Sequence, residues 1–149
     1  MDRVLPAFGI SLILLAGIEA ASAHVLLERT TTSGFVLPQA AMTMSCTVSN
    51  TGEVTLEFQS GDIGSASTRT VQFTKTEVEK AITEAAQGNV VKEEPQMIDA
   101  GAITYTAYQR QADGSTKEIP LWQTKDLAFH NDAPSAERLK NLLDFLCGH

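Results

Sequence analysis

The chain lacks the spacings that metal and nucleophile chemistry require. No His-x-x-x-His pair occurs, neither cysteine has a second thiol nearby, and no calcium-loop pattern is present. A protein metal centre needs several such ligands at regular spacing. No Gly-x-Ser-x-Gly elbow presents a serine nucleophile. Gly61-Asp62-Ile63-Gly64 lacks the lysine and the following helix of a phosphate loop. Basic residues are also few, 11 Lys and Arg against 18 Asp and Glu, for a net charge of −7. An acidic, unclustered surface argues against nucleic acid and anionic lipid as partners, and is compatible with a basic protein partner. There is no internal repeat and no low-complexity tract.

What is present begins with an export signal. Arg3 and the amino terminus supply the positive end, and an apolar run follows from Ile10 to Ile18. That run is shorter than the ~20 residues that span a bilayer. Ala21-Ser22-Ala23 is the small-x-small pattern that signal peptidase accepts, so residues 1–23 read as a signal peptide and cleavage leaves residues 24–149 as one domain. The removed segment holds Arg3 against Asp2 and Glu19, so the mature chain stays acidic. The expected location is secreted or periplasmic, with no stable membrane anchor after cleavage.

Two cysteines, Cys46 and Cys147, make an even count, and in an oxidising compartment that reads as one disulfide. Met42, Met44, Cys46 and Val48 alternate with smaller or polar residues, and so do Val54, Leu56 and Phe58 across the Ser49-Asn50-Thr51-Gly52 turn. Together they predict an antiparallel hairpin with one buried face. His24–Thr30 reads as a strand broken at Thr31, Gly61–Ser65 as a loop, and Arg69–Phe73 as another strand. Thr74 and Glu77 have capping-box spacing ahead of Val78, Ala81, Ile82 and Ala85, with Gly88 as the stop. Lys92–Pro95, including Glu93 and Glu94, reads as a solvated linker.

Residues 102–109 and 117–124 read as two strands joined at Asp113-Gly114, the strongest hairpin signal in the chain. Asn131 or Ser135 then caps a helix whose Leu139, Leu142, Leu143 and Leu146 share one face. Cys147 falls beside that apolar stripe, and Cys46 has the inward parity of its strand. A Cys46–Cys147 bridge is therefore expected to staple the last helix to the sheet. The expected fold is α+β, an antiparallel sheet with two helices packed on one face.

Binding candidates are sparse. Alternation puts Trp122 with Pro120, opposite Ile119 and Leu121; an outward tryptophan is a candidate hot spot, and the alternative is a Trp122 that sits under a loop or helix edge. Phe35, Val36 and Ile63 are apolar residues in Gly-flanked segments that can insert into a partner's cleft. Cleavage after Ala23 would also expose His24 as a terminal residue. Its amine and ring, with His130 as a third nitrogen, form a copper-binding alternative. An unrecognised hydrolase using Asp99, Asp126 and His130 is a further alternative. No cofactor is otherwise called for.

One family resemblance can be drawn. Asp99, Tyr105, Gly114, Asp126, Pro134 and the Leu139-x-x-Leu142-Leu143-x-x-Leu146 run follow an order that resembles emfourin-type bacterial inhibitors of metalloproteases. Ser33-Gly34-Phe35 is similar to the Ser-Gly-rich opening of that family. The signal peptide, the cysteine pair and the longer first hairpin depart from its pattern. The resemblance implies a small α+β inhibitor whose N-terminal part meets the protease. The residues and the resemblance together lead us to expect an exported, non-catalytic binding protein with a protein partner, and protease inhibition as the first activity to test.

Overall fold

The computed structural model describes residues 22–34, 37, 40–94, 101–124 and 128–148. The expected signal peptide, except for its last two residues, lies outside them, as do Phe35, Val36, Asp99 and Asp126. Among the described residues, eight strands form one sheet: β1 (Val25–Thr32), β2 (Met42–Ser49), β3 (Glu53–Ser60), β4 (Ile63–Thr70), β5 (Val90–Lys92), β6 (Ile103–Arg110), β7 (Thr116–Gln123) and β8 (Phe129–Asn131). Their order is β4-β3-β2-β1-β6-β7-β8-β5, and every pairing is antiparallel. Helices α1 (Lys75–Ala85) and α2 (Pro134–Cys147) pack on each other and on one face of the sheet. The fold is α+β, as the residue pattern predicts.

The core lies between that face and the helices. Leu27, Val48, Val54, Ala107, Ile119 and Leu121 supply the sheet side. Val78, Ile82 and Ala85 of α1 and Leu139, Leu143 and Leu146 of α2 supply the helix side. The opposite face is polar because the strands alternate. One rung across it reads Thr106, Glu28, Thr47, Thr55 and Thr68. Cys46 and Cys147 are bonded, with Cα atoms 5.9 Å apart. The bridge ties the last residue of α2 to the middle of β2.

Several boundaries differ from the sequence reading. β1 continues through Thr31 and Thr32, because Thr31 pairs with both Met44 and Ile103. The third hairpin strand is Ile63–Thr70 rather than Arg69–Phe73, and the expected Gly61–Ser65 loop shrinks to a turn at Gly61-Asp62. Small polar residues there hide the alternation, while backbone pairing to β3 holds the strand. Gly52 adopts φ +84°, and a Cβ there would lie 2.3 Å from the Val71 carbonyl oxygen, so the β2–β3 turn requires glycine. Gly114 likewise has φ +84° in the expected hairpin turn, where Asp113 accepts from the Ser115 N–H.

The helix starts are also corrected. Thr74 is the N-cap of α1 but makes no side-chain cap bond; its backbone carbonyl accepts from the Glu77 and Val78 N–H groups. The N-cap of α2 is Ala133, with Pro134 in the first turn, rather than Asn131 or Ser135. Asn131 acts one step earlier, accepting from the Ala133 N–H at 3.0 Å. Its buried amide donates to the Ala85 carbonyl at 3.0 Å and the Pro120 carbonyl at 3.1 Å. It thereby joins the end of α1, β7 and the start of α2. β5 and β8 have no counterpart in the sequence reading: only Lys92 of β5 falls in the expected linker, and each strand is three residues long.

Candidate functional site

One rung of the helix-facing side crosses the whole sheet. From one edge to the other it runs Ser67, Leu56, Cys46, Arg29, Tyr105, Trp122, His130 and Val91. Trp122 is on this rung because a β-bulge intervenes: Tyr105 pairs with Trp122 and Thr106 with Pro120, leaving Leu121 as the extra residue. Simple alternation had put Trp122 on the opposite face. Its ring instead sits 5.8 Å from that of Tyr105, and the Lys140 ammonium of α2 lies 4.5 Å over it. Trp122 is half-buried and braces α2.

Asp144 gathers the charges of this region. It accepts from the Tyr105 hydroxyl at 2.6 Å and from Lys140 at 3.0 Å, and Arg29 reaches it at 3.3 Å. Burial pushes the Asp144 carboxyl up, but the Tyr105 and Lys140 hydrogen bonds and the Lys140 and Arg29 charges outweigh it, and the group is held low. Burial, then the bond to Asp144, pushes the Tyr105 hydroxyl up. Arg29 also donates to the Gly148 carbonyl at 2.9 Å, and Arg69 of β4 donates to the Leu146 carbonyl. The C-terminal end of α2 is thus held by a disulfide and two arginines.

Beside Trp122 a cleft of about 650 Å³ opens between β7, β8 and the first half of α2. His130 and Glu93 face each other across it, with Nδ1 2.6 Å from Oε1. Glu93 is exposed just past the end of β5, in keeping with the linker reading, whereas His130 lies in the three-residue strand β8. A carboxylate that orients an imidazole is half of a nucleophilic set. No Ser, Thr or Cys lines the cleft among the described residues.

His24 sits elsewhere. Its backbone N–H donates to the buried Asn50 side chain at 2.9 Å, and the Asn50 N–H returns a bond to the His24 carbonyl. Three strand spacings and about five residues of register separate it from His130, roughly 20 Å. The structure therefore does not bring these two histidines together for the copper-binding alternative. Among the described residues no group of three or more His, Cys, Asp or Glu is placed to hold a metal ion.

Four of the large exposed apolar residues, Leu37, Met42, Met44 and Ile63, lie at one end of the sheet, whereas Phe145 of α2, the most exposed at 80%, and Val25, Val90 and Val91 lie elsewhere. The Ser33 N–H donates to the Met42 carbonyl at 2.8 Å, joining the end of β1 to the start of β2. Leu37 is 74% exposed, and Ile63, beginning β4 at the same end, is 73% exposed. Met42 and Met44 are half exposed between them. Their parity is inward, as the alternation of β2 predicts, yet they stay accessible because they lie toward the start of β2, beyond the last residue of α2, which is bonded to Cys46. Met44, Leu56 and Phe58 floor a depression of about 310 Å³ that also reaches Cys147. Of the four binding candidates, Ile63 belongs to this end, Trp122 does not, and Phe35 and Val36 lie outside the described residues. The chain matches no protein-family model, no curated protein and no solved structure.

Proposed function

We propose that this chain is an exported, non-catalytic binding protein that engages a protein partner through the apolar end of its sheet. The carrying observation is the cluster of Leu37, Met42, Met44 and Ile63, large apolar side chains exposed together on a disulfide-braced scaffold. Exposed apolar residues gathered in one region of a surface mark interaction sites. The acidic surface favours a basic partner, and the disulfide is compatible with an oxidising compartment. The resemblance to emfourin-type inhibitors makes a metalloprotease the first partner class to test.

The test is capture from the host's own exported proteins by the disulfide-intact chain, followed by inhibition assays on serine, cysteine and metalloproteases. The proposal expects a captured partner that is lost with Ile63→Asp and Met44→Asp together. No partner and no inhibition in any class would contradict it.

A further inference from the structure

The outer edge of the sheet at β4 is unguarded. All eight residues of Ile63–Thr70 are exposed, and among the described residues nothing pairs with the outer side of the strand. Natural edges of this length are usually blunted by proline, a bulge or an outward charge. β4 contains no proline and pairs with β3 in unbroken register. Its only charge, Arg69, is drawn inward to the Leu146 carbonyl. A row of backbone donors and acceptors is therefore open to another extended chain.

Two depressions flank this edge, one on each face. On the helix side Ser65 and Ser67 lie opposite Phe58 and Leu56, and the 310 Å³ hollow floored by those side chains and Met44 opens over the two serines. On the polar side Gly64 and Ala66 lie opposite Gln59 and Glu57, beside a hollow of about 390 Å³. There Glu57 accepts from Ser45 and carries the local charge. The small side chains of β4 leave both hollows open sideways. A strand laid along β4 could reach them with long side chains.

A second copy fits this edge poorly. Pairing β4 with itself sets Ser, Ala and Gly against Ser, Ala and Gly and fills neither hollow. We infer that β4 is a docking edge for an extended segment of a protein partner, which adds a ninth strand and alternates large apolar with basic side chains. The apolar side chains enter the hollow over Leu56 and Phe58, and the basic ones meet Glu57. Backbone pairing supplies affinity and the two hollows supply selectivity, as in other strand-addition complexes. This inference rests on the binding reading above and adds the partner's chemistry to it.

The test is a titration of the disulfide-intact protein, followed by amide NMR, with an acetylated octapeptide of alternating Leu and Lys. Controls are a peptide of the same composition with Leu and Lys in separate blocks, and the alternating peptide N-methylated on every second amide. We expect binding tighter than about 1 mM, with shifts confined to β3 and β4, and at least about tenfold weaker binding of both controls. Ala66→Lys should weaken it about tenfold, and Glu57→Gln several-fold, with the amide spectrum of the fold otherwise retained. Equal binding of the N-methylated peptide, or no binding at about 1 mM, would overturn the docking edge. So would a protein dimer in light scattering that Ala66→Lys dissolves, which would make a second copy the occupant. If peptide binding fails while Ile63→Asp with Met44→Asp still abolishes partner capture, this inference falls and the binding function stands.

Discussion

Asp144 shows how much of this fold passes through single side chains. It receives Tyr105 from the sheet, Lys140 from its own helix and Arg29 from the central strand. Asp144→Asn should cost about 1–3 kcal/mol, the usual worth of hydrogen bonds to a charged group. The sign of the pH effect follows from the lowered carboxyl. Its stabilisation is fully present above the ordinary aspartate range, about pH 4, and is lost as pH falls through the depressed folded value. Thermal melts should therefore show the wild type losing its advantage over Asp144→Asn below about pH 4. A constant gap between the two across that range would contradict the assignment. No feature of the sequence pointed to this cluster, because its members are spread from residue 29 to residue 144. Trp122 was misplaced for a related reason. Alternation assumes an unbroken ladder, and the bulge at Leu121 reverses parity without leaving a composition signal.

Elements with a strong period were legible, and short or period-free ones were not. The apolar stripe of α2 and the inward parity of Cys46 together foretold the bridge between them. β5 and β8 are too short to show alternation, and their pairing depends on Asn131 bringing α1, β7 and α2 together. Two predictions belong to this scale. Replacing Cys46 and Cys147 by alanine should lower stability by roughly 2–5 kcal/mol. The amides at the end of α2 should then lose exchange protection first, because the covalent tie to the sheet is gone and only Leu146 packing, the Tyr105–Asp144 bond and the two arginines hold it. Uniform loss of protection across the sheet would show that the bridge does more than staple the helix. Gly52→Ala should destabilise by about 2 kcal/mol or more, since a left-handed residue with a Cβ costs roughly 1–2 kcal/mol before the collision with Val71 is added. A chemical denaturation midpoint unchanged from wild type would contradict the turn geometry.

At the scale of the whole molecule, the helices brace one part of the sheet and leave one end apolar and exposed. α2 is fixed at Cys46, Arg29 and Arg69, whereas Met42, Met44, Leu37 and Ile63 lie toward the opposite end of β2 and its neighbours. An uncovered apolar rim carried on hydrogen-bonded strands suits binding, because the backbone there is already ordered before association. The residue pattern foretold the α+β fold and its disulfide. It did not foretell where the apolar surface gathers, since Met42 and Met44 read as core until the reach of the helices is known. The binding claim is tested most directly by site-specific photo-cross-linking in the host's exported proteins, with the photoreactive group placed at Ile63 and, as control, at Glu118 on the polar face. The account predicts one discrete cross-linked protein from Ile63 that is absent from Glu118. No discrete product from Ile63, or the same product from both positions, would contradict it.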